Sequence, residues 1–223
     1  MQPNKTLATI AAISLAAGAA HAATSIVYSN ATAFSGFVLN PGANEVADEI
    51  ILGPGDRFGY LFRFEYYGTN FSGNETVQLR FYQNDGAFIG NNTYLPNTVF
   101  YDSGVNSLAE PTDPSDRATL QYDLTYTPIA LPERFTFSVS FGGIEANEIA
   151  ALAIYNPFTV GQSENDYWFN NAGNWELRGT NGVAINFGAS MVATSVPEPS
   201  TYALAILGGL CGLALVNRRK RKA

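Results

Sequence analysis

Residues 60–67 run Tyr-Leu-Phe-Arg-Phe-Glu-Tyr-Tyr, and this stretch decides the fold class. In an extended chain, successive side chains point to opposite faces. The even-numbered residues, which are all aromatic, therefore share one face, while Arg63 and Glu65 lie on the other face. Alternation with a period of two predicts a β-strand that has one buried face and one face in water.

The same alternation recurs along the chain in residues 76–82, 118–126, 135–141 and 183–191. Turn residues separate these runs, and Asn181-Gly182 between residues 175–178 and 183–187 predicts a hairpin. Residues 146–153 fit either a short helix or a buried strand. About nine to eleven short strands predict an all-β fold, a single antiparallel jelly-roll-like β-sandwich.

The chain has one histidine and one cysteine, His21 and Cys211, and both lie near its ends. Residues 23–195 thus contain neither residue type, which excludes Ser-His-Asp and Cys-His catalysis and any His or Cys metal cluster there. We therefore expect no enzyme and no catalytic residue. The remaining enzymatic alternative is a carboxylate-based glycan-active enzyme that uses carboxylates of polar turns, either Glu45, Asp48 and Glu49 or Glu145 and Glu148.

Residues 23–195 carry six arginines, no lysine and 18 carboxylates, a net charge of −12 against −7 for the whole chain. Nucleic acid is a poor partner for such a surface, because phosphate binding needs clustered cations.

The first residues have the pattern of a secretory signal peptide. Lys5 precedes an apolar run over residues 7–20, and Ala20-His21-Ala22 has the small-x-small form of a cleavage site. We expect residues 1–22 to be removed during export through the Sec machinery; an uncleaved anchor is the alternative, although the run is short for one. The β-sandwich ectodomain then comprises residues 23–195.

Residues 196–223 have three successive parts. Pro197-Glu198-Pro199 comes first, and an uncharged apolar stretch over residues 201–216 follows it. We expect this stretch to form a single transmembrane helix, because sixteen residues give roughly 24 Å of helix and snorkelling of flanking cations absorbs the remaining mismatch. The basic tail comes last and should stay on the cytoplasmic side; it consists of Arg218, Arg219, Lys220, Arg221 and Lys222.

This tripeptide, helix and basic tail closely resemble the PEP-CTERM sorting signal of bacterial exported proteins. The resemblance implies an exosortase-type membrane enzyme as processing partner. It also implies an inner-membrane-anchored precursor in a Gram-negative bacterium that makes exopolysaccharide, with the cell surface or extracellular matrix as destination. A plain single-pass anchor is the alternative. The body resembles a β-sandwich ectodomain that recurs in this family, through residues 77–86, 100–104 and 166–168 and through Trp175; this likeness implies no activity.

These features predict a non-catalytic structural or adhesion component of the surface or matrix, associated with exopolysaccharide. The alternative is a carbohydrate-binding module that stacks sugars on exposed aromatic rings, and Tyr67, Tyr82 and Trp168 are its candidates. The competing interpretation of these rings is that they pack between the sheets. No cofactor is expected. A weak calcium candidate comes from acidic loops that contain Asp113, Asp116, Glu164 and Asp166, although they lack the spacing of a calcium-binding loop.

Overall fold

The computed structural model describes residues 24–55, 57–90, 93–124, 129–179 and 183–194. These residues belong to one compact unit, Thr24–Ser195. The predicted signal peptide with Ala20 and Ala22, the Pro197-Glu198-Pro199 motif, the apolar stretch and the basic tail lie outside the described residues. In the part of the chain that is described, every regular secondary-structure element is a β-strand, so the all-β prediction is confirmed.

Within these ranges, no helix has the length and apolar character needed to cross a membrane.

Fifteen strands occur in the described residues, and several of them have only two or three residues. In chain order they are β1 Thr24–Asn30, β2 Phe34–Leu39, β3 Glu45–Ile51, β4 Phe58–Thr69, β5 Thr76–Gln83, β6 Phe88–Gly90, β7 Thr93–Tyr94, β8 Val99–Ser107, β9 Arg117–Asp123, β10 Ile129–Ala130, β11 Arg134–Gly142, β12 Ile149–Tyr155, β13 Asp166–Asn171, β14 Asn174–Gly179 and β15 Ala189–Thr194.

The strands form two large antiparallel sheets and one small hairpin. The seven-stranded sheet has the order β1-β15-β4-β12-β2, and β9 and β10 also pair with β4. The register places β15 and β12 along one edge of β4 and β9 and β10 along the other. The six-stranded sheet has the order β14-β13-β3-β11-β5-β8, and β6 pairs with β7. Neighbours in both orders are mostly distant in sequence, so the sheets depend on long-range pairing.

The two large sheets pack against each other through aromatic side chains. Phe62 of β4 lies with its ring centroid 5.1 Å from that of Phe81 in β5 and 5.2 Å from that of Phe137 in β11. All three rings are fully buried. Edge-to-face contacts at such distances add to the free energy gained from burying apolar area, so these aromatics hold the two sheets together.

The alternation predicted for residues 60–67 is confirmed. Phe62, Phe64 and Tyr66 face the core, whereas Arg63 and Glu65 are half-buried on the opposite face. Tyr60 starts the same inward series yet is 40% exposed, because it lies near the beginning of the strand.

Two sequence-based predictions near the end of the described chain need correction. Residues 183–191 do not form one strand: β15 begins only at Ala189, and Phe187 makes an isolated bridge with Ile154. The predicted hairpin between residues 175–178 and 183–187 is also wrong, because β14 pairs with β13 instead. Ala172 and Gly173 both have positive φ values, of 50° and 92°, and form the two-residue turn that this hairpin needs.

Residues 146–153, for which the sequence left a helix or a strand open, contribute to the buried strand β12.

Candidate functional site

The acidic residues of β3 point to opposite faces of the six-stranded sheet. Asp48 pairs with Phe137, whose ring faces the other sheet, so Asp48 points inward. Glu45 and Glu49 point to the outer face, away from the seven-stranded sheet. The prediction that these three residues lie in polar turns is wrong, since β3 is a central strand in which Asp48 is fully buried and Glu49 is 4% exposed.

Glu45 is the centre of a closed hydrogen-bond cluster on the outer face. Its Oε1 accepts hydrogen bonds from Arg80 Nη1 at 3.2 Å, from the Tyr82 hydroxyl at 3.0 Å and from the Ser138 hydroxyl. Its Oε2 accepts one from Asn170 Nδ2 at 3.0 Å. These donors come from β5, β11 and β13, so one carboxylate ties three strands to β3.

The β13–β14 hairpin curls over this cluster. Trp175 of β14 lies with its ring centroid 5.4 Å from that of Tyr82 in β5, although four strand positions separate β14 from β5. In a flat sheet that separation would be about 19 Å. Because side chains stand roughly perpendicular to a sheet, this ring contact indicates that the six-stranded sheet curves toward its outer face.

This curvature corrects two of the three predicted glycan-binding rings. Tyr82 is only 7% exposed and Trp168 only 2%. Trp175 packs against Tyr82, and Trp168 lies between its strand neighbours β3 and β14. Trp168 pairs with Ala47, whose small side chain adjoins the indole on the outer face. Tyr67 is half-buried on the seven-stranded sheet, and its hydroxyl lies 3.5 Å from Asp116 Oδ2. The structure thus does not bring the three rings together on one open surface.

Glu49 occupies a different environment at the other end of β3. Its carboxylate accepts a hydrogen bond from Asn84 Nδ2, and Arg134 Nη1 lies 3.3 Å from Oε1. The arginine contact has ion-pair distance but not hydrogen-bond alignment, so Oε1 is buried without an aligned donor among the described residues. Burial raises the pKa of Glu49 to about 7; Arg134 lowers this pKa, and Glu164 and Asp166 raise it further.

An open pocket of about 330 Å³ lies next to these partners of Glu49. It is lined by Gln83, Asn84, Asp85, Tyr94, Pro132 and Arg134. Asn84 also accepts a hydrogen bond from the Thr136 hydroxyl at 2.8 Å. Two of the lining residues, Asn84 and Arg134, therefore connect the pocket directly to the buried Glu49 carboxylate. Sequence reasoning missed this pocket.

A second polar cluster lies inside the protein, where Asp48 accepts hydrogen bonds from the Ser163 hydroxyl at 2.7 Å and from the Phe187 backbone N–H at 2.8 Å. Burial raises the pKa of Asp48 well above its usual value, and burial followed by the nearby Asp48 charge does the same for Tyr28. All these groups are buried, as is the neighbouring Asn186, so the cluster offers no surface to a ligand.

The remaining carboxylates that the sequence singled out serve local structure. Glu148 accepts hydrogen bonds from the backbone N–H groups of Glu145 at 2.7 Å and Ser72 at 3.0 Å, which braces two loops.

The calcium candidates divide between two sheets. Asp113 and Asp116 form a turn before β9 in the seven-stranded sheet, closed by the Asp116 N–H donating to the Asp113 carbonyl at 2.9 Å. Glu164 and Asp166 lie at the start of β13 in the six-stranded sheet, and Glu164 Oε1 is 3.6 Å from Arg134 Nη2. In the residues that the structure covers, no group of three or more His, Cys, Asp or Glu side chains could hold a metal ion.

A scan against protein-family models, a search of curated proteins and a search of solved structures each found no significant match to this chain.

Proposed function

We propose that this protein is an exported, non-catalytic structural or adhesion component of a bacterial surface or extracellular matrix, associated with exopolysaccharide. The observation that carries the proposal is the order Pro197-Glu198-Pro199, uncharged apolar stretch, basic tail, which resembles a PEP-CTERM sorting signal. Such a precursor leaves the cytoplasm through the Sec machinery. Its C-terminal helix anchors it in the inner membrane, and an exosortase-type enzyme then processes it.

The architecture supports this proposal. We infer that the two antiparallel sheets, which share an aromatic core, form a jelly-roll-like β-sandwich. A sandwich of this kind forms a rigid body that is suited to a structural or adhesive role outside the cell. The net charge of −12 over residues 23–195 disfavours nucleic acid as a partner.

The placement of Glu45 and Glu49 does not favour glycan hydrolysis by this pair of carboxylates. Glycosidases place their two carboxyl groups roughly 5–9.5 Å apart across a cleft. Glu45 and Glu49 are four residues apart on one strand, which separates their Cα atoms by about 13 Å. Glu45 also accepts four hydrogen bonds, so its carboxylate is held in place rather than free to transfer protons to a substrate.

Carbohydrate binding is the second candidate function, and the pocket beside Tyr94 favours it. Tyr94 is 42% exposed at the pocket wall, in contrast to the buried Tyr82 and Trp168. Binding at this pocket would give the structural protein a direct contact with exopolysaccharide.

Mass spectrometry of the mature termini, combined with fractionation of the host cells, tests the sorting proposal. We expect an N-terminus at Ala23, loss of residues 201–216 and recovery of the protein in the surface or matrix fraction. A Pro197→Ala/Pro199→Ala double variant should stay in the inner membrane with its tail intact, whereas the neighbouring Ser200→Ala variant should be processed normally. Recovery of the wild-type protein from the cytosol with His21 still attached would refute the proposal.

A further inference from the structure

One wall of the pocket is formed by the segment between β5 and β8, which contains β6 and β7 and is called the β5–β8 extension below. Gln83 N–H donates to the Thr98 carbonyl at 2.8 Å, and Gly86 N–H donates to the Leu95 carbonyl at 3.0 Å. The Asp85 carboxylate accepts from both the backbone N–H and the hydroxyl of Thr98, at 2.9 and 2.6 Å. These bonds fix the backbone on both sides of the β6–β7 hairpin, and the Phe88 ring supports the Tyr94 ring, with the two centroids 5.2 Å apart.

The polar side of the pocket is also fixed in advance. Asn84 donates to Glu49 and accepts from Thr136, so its amide orientation is set from both ends. Arg134 lies between the carboxylates of Glu49 and Glu164, at 3.3 and 3.6 Å. Preorganised polar groups do not have to be ordered when a ligand binds, which lowers the entropic cost of binding.

The lining combines hydrogen-bonding groups of both kinds with two apolar surfaces. Amides and a carboxylate provide acceptors, amides and the Arg134 guanidinium provide donors, and Tyr94 and Pro132 provide apolar contact. A pyranose ring has this same combination, because hydroxyl groups surround its edge while its C–H faces are apolar. The pocket volume is at the lower end of the range of roughly 300–1,000 Å³ for ligand sites, which suits one sugar residue.

The charge around the pocket selects against an acidic sugar. Asp85 lines the pocket, and Glu49 and Glu164 lie within ion-pair distance of Arg134. Arg134 is therefore flanked by Glu164 and by Glu49, whose pKa of about 7 leaves it partly ionised at neutral pH, while Asp85 adds a negative charge to the pocket lining, in a body of net charge −12. A carboxylate on the ligand would be repelled by this surplus of negative charge.

We propose that this pocket binds one neutral sugar residue of a polysaccharide, with Tyr94 stacked on a C–H face of the ring and Gln83 and Arg134 hydrogen-bonded to its hydroxyl groups. This inference rests on the proposed function, since it names the class of ligand through which the protein associates with exopolysaccharide.

Isothermal titration of the full chain in detergent tests the pocket. The probes are glucose, galactose, mannose and N-acetylglucosamine, their neutral trisaccharides, and glucuronate as the acidic counterpart of glucose. We expect at least one neutral probe to bind and Tyr94→Ala to weaken its binding at least about tenfold. Tyr94→Phe should retain the affinity, because the ring face is what stacks.

Tyr60→Ala is the matched control, since Tyr60 is 40% exposed but lies on the seven-stranded sheet. This variant should bind the neutral probe as well as the wild type does. The inference is overturned if no neutral probe binds, if Tyr60→Ala weakens binding as much as Tyr94→Ala, or if glucuronate binds more tightly than glucose. These outcomes are independent of sorting, which the analysis of the mature termini tests separately.

Discussion

Glu45 and Glu49 lie on the same face of the same strand, yet their surroundings have opposite character. Glu45 accepts hydrogen bonds from four side chains of three other strands. Glu49 is more deeply buried, one of its carboxylate oxygens has no aligned donor in the described part of the chain, and its pKa is raised to about 7. Both residues are glutamates on the same face of one strand, so residue type and strand position do not explain the difference. The elements that cover each carboxylate do.

The covering element differs at the two ends of β3. The β13–β14 hairpin curls over Glu45 and supplies Asn170 as a donor. Near Glu49 the neighbours are the β5–β8 extension and the start of β11, and these elements leave a pocket open beside it. We therefore interpret the Glu45 end as a structural clamp and the Glu49 end as the site with capacity to respond to a ligand or to pH.

The sharpest test of this comparison is Glu45→Ala. Removing the carboxylate leaves partly buried donors on β5, β11 and β13 without their acceptor, which should lower the free energy of unfolding by about 3–5 kcal/mol. Urea unfolding at pH 7 measures the change. Glu176→Ala, which removes an exposed carboxylate paired with Arg178, is the control and should leave the unfolding midpoint unchanged. A loss for Glu49→Ala equal to that for Glu45→Ala would break the comparison.

The second test uses the pH dependence of the free energy of unfolding, which the raised pKa of Glu49 affects. The pKa of Glu49 is about 7 in the folded protein against an ordinary value of 4.5, so the folded state holds a proton that the unfolded state releases. The contribution of Glu49 to the free energy of unfolding is fully present below pH 4.5. It is lost as the pH rises to 7, which lowers the free energy of unfolding by roughly 2–4 kcal/mol. The charged groups nearest to Glu49 are Arg134, Glu164 and Asp166.

Glu49→Gln should remove most of this decline, because glutamine does not titrate. Urea unfolding of wild type and variant at a series of pH values between 4 and 8 measures the two slopes. Glu164→Gln, which keeps Glu49 itself, should retain most of the decline. Parallel curves for wild type and Glu49→Gln would show that Glu49 titrates normally and would contradict the contrast with Glu45.

Trp175→Ala tests whether the curled hairpin is what closes the Glu45 end. The half-buried indole covers Tyr82, and its loss should cost about 1–3 kcal/mol of stability. The chain has two tryptophans, so Trp168 becomes the single indole fluorophore in this variant. Trp168 and Trp175 are diagonal neighbours on the outer face of the β13–β14 pair, so we expect the emission of Trp168 to shift to the red as water reaches it. Trp175→Phe should restore the wild-type stability in large part, and an unshifted spectrum in Trp175→Ala would mean that another element covers Trp168.

The smallest expected effect belongs to the pocket wall. Tyr94→Ala removes an exposed ring, and it should change the free energy of unfolding by no more than about 0.5 kcal/mol. Tyr60→Ala, on the seven-stranded sheet, should change the free energy of unfolding by a similarly small amount in the same urea titration. A much larger loss for Tyr94→Ala would assign the ring a structural role and would weaken the contrast between a closed clamp and an open pocket.

Sequence periodicity predicted the strands that have one face in the core and one face in water. Residues 61–67 alternate between half-buried and buried positions, and Val77, Leu79 and Phe81 of β5 are buried as predicted. The alternation failed for residues 45–51, because Asp48 occupies an inward position that an apolar residue would normally fill. Acidic composition there suggested a turn, whereas pairing with β11 and β13 makes it a central strand. Buried polar residues are therefore where a pattern based on hydrophobicity is least informative.

The amino-acid sequence by itself determined the all-β class, because the alternation of apolar and polar residues is a local property of the chain. It also carries the tail on which the sorting proposal rests. Only the tertiary structure decided which rings are exposed and which carboxylates have partners. Those properties depend on the curl of the β13–β14 hairpin and on contacts such as Asn170 with Glu45, which are 125 residues apart. Local patterns contain no record of such distant neighbours, so burial and pKa could be derived only after the sheets were assembled.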